Sequence, residues 1–130
     1  MAEVVALDEL DFELRVENIM KYASCIEFVG LLEDISRLES EVSIKDGLVR
    51  VRARGVRCVK VADGEKWAIL IPSKTECMVV ARGRRYEYIR VRDLEPSRDR
   101  PTFSLEDELK VLGFDEDTVK KVIAMVRLLA

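Results

Sequence analysis

The clearest fold signal in the chain lies in residues 48–62, which read LVRVRARGVRCVKVA. Apolar and charged side chains alternate here with a period of two, which is typical of a β-strand with one buried face. The segment is long for a single strand, and Gly55 stands in its middle, so we expect a bulge or a sharp bend there. The pattern therefore predicts a long, bent strand.

The residues after this strand predict an antiparallel meander. The Asp63-Gly64 pair is a hairpin signal, and residues 67–71 are apolar on both faces, which is typical of a central strand. Two more strands are predicted over residues 77–81 and 86–91. We expect four or five strands, strongly curved or closed into a small barrel.

The N-terminal part of the chain also contains a strand signal. Residues 10–17 alternate between apolar and charged side chains, which favours a strand. A helix with a leucine stripe at positions 7, 10 and 14 is the alternative. Asn18 then predicts the start of a long helix that runs to about Glu41. Gly30 weakens the middle of that helix, so two shorter helices are the alternative.

The C-terminal residues predict a helical hairpin. Ser104 and Asp107 have the spacing of a capping box, and Gly113 is placed to end the helix that follows it. Asp115 predicts the start of a last helix, whose apolar residues recur at helical spacing. Residues 94–103 contain two prolines and predict a linker before this hairpin.

These segments together predict an α+β fold. It has an N-terminal strand and long helix, a curved antiparallel meander of four or five strands or a small barrel, and a C-terminal helical hairpin. We expect a core domain over residues 1–93, a linker over 94–103, and the hairpin over 104–130, packed on the core.

Charge is sorted along the chain into blocks of opposite sign. Residues 1–47 carry four Lys/Arg and twelve Asp/Glu, residues 48–92 carry twelve and four, and the remainder carries six and nine. The blocks have net charges of −8, +8 and −3 and sum to the −3 of the whole chain. The basic block either faces an external anion or is neutralised by the acidic block of the same chain or of a sister subunit.

Alternation assigns the basic side chains to one face of the sheet. The predicted binding residues, for an anion or for a partner, are Arg50, Arg52, Arg54, Tyr86, Tyr88, Arg90 and Arg92. Arginine and tyrosine on one face suit a single strand of RNA or DNA, through phosphate contacts and base stacking. Asp11, Glu13 and Glu17 are the acids that can pair with the arginine rows instead, within the chain or across a dimer. With the pI near 5.2, the sequence favours a binding or assembly module for protein or homo-oligomer contacts, and nucleic-acid binding is the alternative.

Few residues support catalysis. The chain has no histidine, so Ser-His-Asp and Cys-His arrangements are excluded, and no phosphate-binding glycine loop is present. We therefore name no catalytic residue, and an enzyme is the least favoured class. Cys25, Cys58 and Cys77 lack the CxxC spacing of a zinc site, so we expect neither metal nor cofactor. Three buried thiols are favoured over a disulfide between two of them.

Composition also bears on the source and the compartment. Glutamine is absent, Asn18 is the sole asparagine, and fourteen of the twenty-two cationic residues are arginine. Depletion of amides with abundant ionic residues predicts a hyperthermophilic, archaeal-like source. The absence of a long apolar run and the acidic N-terminus predict a cytoplasmic protein without a membrane partner.

Overall fold

The computed structural model describes residues 2–15, 17, 40–83, 86–94 and 104–130. Six strands and two helices form among these residues. In chain order they are β1 (Glu3–Arg15), β2 (Ser40–Lys45), β3 (Leu48–Asp63), β4 (Lys66–Pro72), β5 (Glu76–Arg82), β6 (Glu87–Asp93), α1 (Leu105–Val111) and α2 (Glu116–Leu129).

The predicted α+β fold class is wrong. The described residues form mostly antiparallel sheet, and their two helices are short and C-terminal. The predicted long helix lies outside the described residues over 18–39, and its last two positions, Ser40 and Glu41, belong to β2. Residues 41–45 alternate between polar and apolar side chains, and the turn after them folds this strand onto β3. Ser40 and Glu41 therefore belong to a strand with a period of two, and not to the end of a helix.

The predicted barrel is also wrong. The sheet has the order β1-β3-β4-β5-β6, with β2 paired to β3 off this path, and it does not close. The meander prediction holds for β3 to β6, which pair antiparallel in sequence order. The sheet remains open because β1 and β6, the two ends of this order, do not pair with each other. Strand β3 has two neighbours on one edge. Its first half pairs with β2 and its second half with β4, while β1 follows nearly its whole length.

Glycine and aspartate set the turns and the bend of β3. Asp46 and Gly47 have φ values of 54° and 74°, which is the left-handed pair that a type I′ hairpin turn requires. Gly55 has a φ of 75°, and the β1–β3 register shifts between Leu7 and Glu9, opposite this point. The predicted irregularity at Gly55 is confirmed.

The sheet has an apolar cluster on each face. Strand β3 contributes to both, because the shift at Gly55 changes which face its odd-numbered residues occupy. The inner core, on the face that neither described helix covers, contains Leu10, Phe12, Leu14, Val49, Val51, Ala53, Val56, Cys58, Ile69, Ile71, Met78, Val80 and Ile89. The helix core, on the other face, contains Val59, Val61, Ala68, Leu70, Cys77, Val79, Ala81, Tyr88 and buried residues of both helices. As predicted for a central strand, β4 contributes to both clusters.

The C-terminal helices begin where the sequence predicts. The Ser104 side chain accepts from the backbone N–H of Asp107, which completes the capping box, and Asp115 caps α2 through the N–H of Thr118. Gly113, between the helices, has a φ of 91°. The apolar side of α2 buries Val119, Val122 and Val126 in the helix core. The predicted linker lies outside the described residues over 95–103.

Candidate binding surface formed by the arginine rows

The predicted binding residues do not form one open face. Arg50, Arg52 and Arg54 lie on the exposed side of β3 in its first half, opposite the inner core. Tyr88 is 2% exposed and lies in the helix core. The arginine row of β6 therefore stands on the side that the helices cover, and the two rows have different surroundings.

The first row is opposed by acids of β1 in direct register, and we name this set the ionic ladder. Its cross-strand pairs are Glu9–Arg54, Asp11–Arg52 and Glu13–Arg50. Directly opposed residues of antiparallel strands have Cβ atoms about 4.5–5.5 Å apart, which is close enough for ion pairing. Three acids of the acidic block thus face three arginines of the basic block within one sheet, and Arg50 forms ion pairs with two of these acids. The ladder uses Glu9 rather than the predicted Glu17, which lies beyond the end of β1.

The shortest contacts of the ladder are diagonal. Nε and Nη2 of Arg50 donate to the two carboxylate oxygens of Asp11 at 3.1 and 3.0 Å, and Nε lies 3.9 Å from Oε1 of Glu13. The hydrogen bonds from Arg50 lower the pKa of Asp11. Arg52 stands between Asp11 on β1 and Glu41 on β2. Because these side chains are about half exposed, water screens them, and each pair adds little stability.

The second row is paired with one buried carboxylate, Glu108 of α1, which is 1% exposed. Its Oε2 accepts from Nε of Arg92 at 2.8 Å, and its Oε1 lies 3.5 Å from Nη1 of Arg90. Burial and a hydrogen bond with Glu108 raise the pKa of Tyr88. The guanidinium of Arg90 lies 4.3 Å from the Tyr88 ring centroid. This group, the Glu108 cluster, ties α1 to β6.

Tyr86 differs from Tyr88 in its exposure. Its ring stacks on Tyr88 with centroids 5.7 Å apart, yet the residue is 40% exposed. Of the two predicted tyrosines, Tyr86 alone offers a ring to solvent. One exposed ring is a small stacking platform.

Sequence reasoning missed two buried acids, Glu108 and Glu87. Glu87 accepts from the backbone N–H of Arg15 at 2.8 Å and lies 3.1 Å from Nε of Arg82, so it joins the end of β1 to the β5–β6 hairpin. The sequence signal that could have identified Glu108 is its position on the helix. Glu108 shares the helical face of Leu105 and Leu109, and an acid at a core position needs charged partners.

The acidic and cysteine side chains are the remaining candidates for a metal site. Within the described ranges, no three Cys, Asp or Glu side chains group closely enough to hold a metal ion. Cys58 and Cys77 are buried free thiols, and burial raises their pKa values to about 11 and about 12. Cys25 lies outside the described residues. No helix in the described part of the chain is long and apolar enough to cross a membrane.

Comparison with known proteins gives no relative: no family model, curated protein or solved structure matches this chain. Function is therefore inferred from contacts, burial and charge.

Proposed function

We propose that this chain is a non-catalytic binding module that assembles with protein. Its working surface is the end of the sheet that carries the ionic ladder and β2. The observation that carries the proposal is the β1–β3 register, which places an acid opposite each arginine of the ladder.

Charge at the ladder favours protein over nucleic acid. Nucleic-acid affinity comes largely from cations that replace the counterions of phosphate groups. Here Arg50 already has a carboxylate in bidentate contact, and the three acids of β1 would repel a phosphate backbone. A surface that alternates both signs is complementary instead to a protein surface that does the same.

Exposed apolar side chains of β2, at the same end of the sheet as the ladder, also favour a protein partner. Val42 and Ile44 of β2 are 44% and 71% exposed. They oppose Val51 and Val49, which are buried in the inner core. Val42 and Ile44 therefore lie on the face of the sheet opposite the ladder arginines. Two neighbouring exposed apolar side chains on one strand match the composition of protein interfaces.

Two measurements on the full chain test the proposal. Labelled single-stranded and double-stranded nucleic acids are titrated at low and moderate salt, and molar mass is measured in parallel by light scattering. We expect no salt-sensitive nucleic-acid binding and a molar mass above the 14.9 kDa of one chain.

If nucleic-acid binding is observed, two matched charge-reversal variants show whether the ladder is the binding surface. Arg50→Glu alters the ladder, and Arg127→Glu makes the same change in charge on the exposed side of α2. A monomer that binds strands with a steep negative salt slope, weakened by Arg50→Glu and not by Arg127→Glu, would overturn the proposal.

A further inference from the structure

Strand β2 has an outer edge, on the side away from β3. Among the described residues this edge pairs with no other strand, and residues 41–45 are all exposed. An exposed edge presents unpaired N–H and C=O groups to any strand of matching pattern.

The hairpin turn determines which backbone groups point outward. The type I′ turn at Asp46-Gly47 closes on the Lys45–Leu48 pair, which is hydrogen-bonded across the turn. Hydrogen bonding alternates along an antiparallel pair, so Ser43 also bonds to β3. Val42 and Ile44 therefore direct their backbone N–H and C=O groups to the free edge.

We propose that a second copy of this chain occupies this edge, with β2 antiparallel to β2 about a two-fold axis at Ser43. The inference rests on the proposed assembly function and names its partner. In this register Glu41 lies opposite Lys45 of the partner subunit, and Val42 lies opposite Ile44 of the partner subunit. Symmetry repeats both pairs, so the strand is complementary to itself in charge and in apolar pattern.

Other registers lose this complementarity. A shift by one residue places polar side chains opposite apolar ones on the same face. A shift by two residues keeps the faces but removes the pairing of Glu41 with Lys45. The register about Ser43 also uses the outward backbone groups of Val42 and Ile44 as its hydrogen-bonded pair.

Pairing of the two β2 strands would extend both the apolar face and the ionic face of one chain into the partner subunit. Val42 and Ile44 would continue the apolar face of Val49 and Val51 across the axis. Glu41, which opposes Arg52 of the ladder, would extend the ionic face in the same way. Stable interfaces usually bury about 1,200–2,000 Å² in total, and six-residue strands are short for that area. We therefore expect dimerisation that depends on protein concentration.

Disulfide trapping tests the register. Ser43 would face itself across the axis as a non-hydrogen-bonded pair, with Cα atoms about 4.5 Å apart, within the range of a disulfide. In a Cys25→Ser background, Ser43→Cys should give a cross-linked dimer under mild oxidation. The matched control is Glu41→Cys, because position 41 faces position 45 of the partner and should stay monomeric on denaturing gels. Equal cross-linking of the two variants would overturn the register.

Light scattering of edge variants tests the surface. Val42→Pro removes an outward N–H without removing a bond to β3, so circular dichroism should stay unchanged while the dimer is lost. Lys45→Glu should also abolish the dimer, and the swap Glu41→Lys with Lys45→Glu should restore it. Failure of the swap to restore the dimer, in a folded protein, would contradict the predicted charge pairing.

The outcomes separate this inference from the proposed function. A molar mass above one chain that none of the β2 variants reduces would overturn β2 pairing and leave assembly through another surface. A chain that stays monomeric at every concentration would also overturn β2 pairing. Salt-sensitive nucleic-acid binding through the ladder would overturn the proposed function itself.

Discussion

Nε of Arg92 on β6 lies 2.8 Å from Oε2 of Glu108 on α1, and Glu108 is 1% exposed. A carboxylate at this depth requires hydrogen-bonded cations. Arg92 and Arg90 supply them, so the row that resembled an anion site in sequence attaches a helix to the sheet.

Replacing Glu108 should destabilise the fold. Glu108→Gln removes the charge that faces two guanidinium groups and should lower the free energy of unfolding by about 1.5–3 kcal/mol. Urea unfolding followed by circular dichroism measures the change. The control is Glu106→Gln on the same helix, which breaks an exposed pair with Lys110. It should leave the midpoint urea concentration of unfolding unchanged. Equal midpoints for the two variants would contradict a structural role for Glu108.

The cap of α2 should make stability sensitive to acid. The Thr118 N–H lowers the pKa of Asp115 below its ordinary value of 3.8. The unfolded chain therefore binds the proton more readily, and the contribution of this cap is full above about pH 4 and lost as pH falls through the folded pKa. Asp115→Asn keeps an acceptor but cannot titrate, so its melting temperature should fall less steeply with acid than that of the parent. If the melting temperatures of the parent and of Asp115→Asn fall equally steeply below pH 4, this assignment is refuted.

The buried thiols should be unreactive in the folded protein. Cys58 and Cys77 are fully buried, and their raised pKa values, about 11 and about 12, leave little thiolate at pH 8. In a Cys25→Ser variant, a thiol reagent at pH 8 should label neither residue until denaturant is added, and then both. Rapid labelling of the native protein, or fewer than two thiols after unfolding without reductant, would contradict the buried free state.

The bend of β3 should depend on glycine at position 55. Its φ of 75° is unfavourable for residues with a Cβ, and an L-residue in this region costs about 1–2 kcal/mol. Gly55→Ala should destabilise the protein by that amount, and Gly55→Asn by less, because asparagine tolerates left-handed backbone. Chemical denaturation of the parent and the two variants measures the order of their free energies of unfolding. Full stability of Gly55→Ala would show that the strand can bend without glycine.

Features that depend on near neighbours in sequence were predictable. The alternation of β3, the Ser104–Asp107 capping box and the cap at Asp115 each involve contacts within a few residues. Their geometry is therefore encoded by local side-chain chemistry and backbone preference. The helix end predicted at Glu41 failed because the pairing of β2 with β3 outweighs helix propensity.

The surroundings of each charge were not predictable in the same way. The acids of β1 and the arginines of β3 are about forty positions apart in the chain, and their pairing depends on strand register. Glu108 became the partner of the β6 row because α1 packs on that face of the sheet.

Sequence by itself determined the meander strands β3 to β6, the caps of the two C-terminal helices, and the presence of equal and opposite charge blocks. Only the tertiary structure decided which acid faces which arginine, which row the helices cover, and which strand edges have no partner among the described residues. The physical reason is range: backbone preferences act over a few residues, whereas charge pairing and burial depend on which distant segments the folded chain brings together.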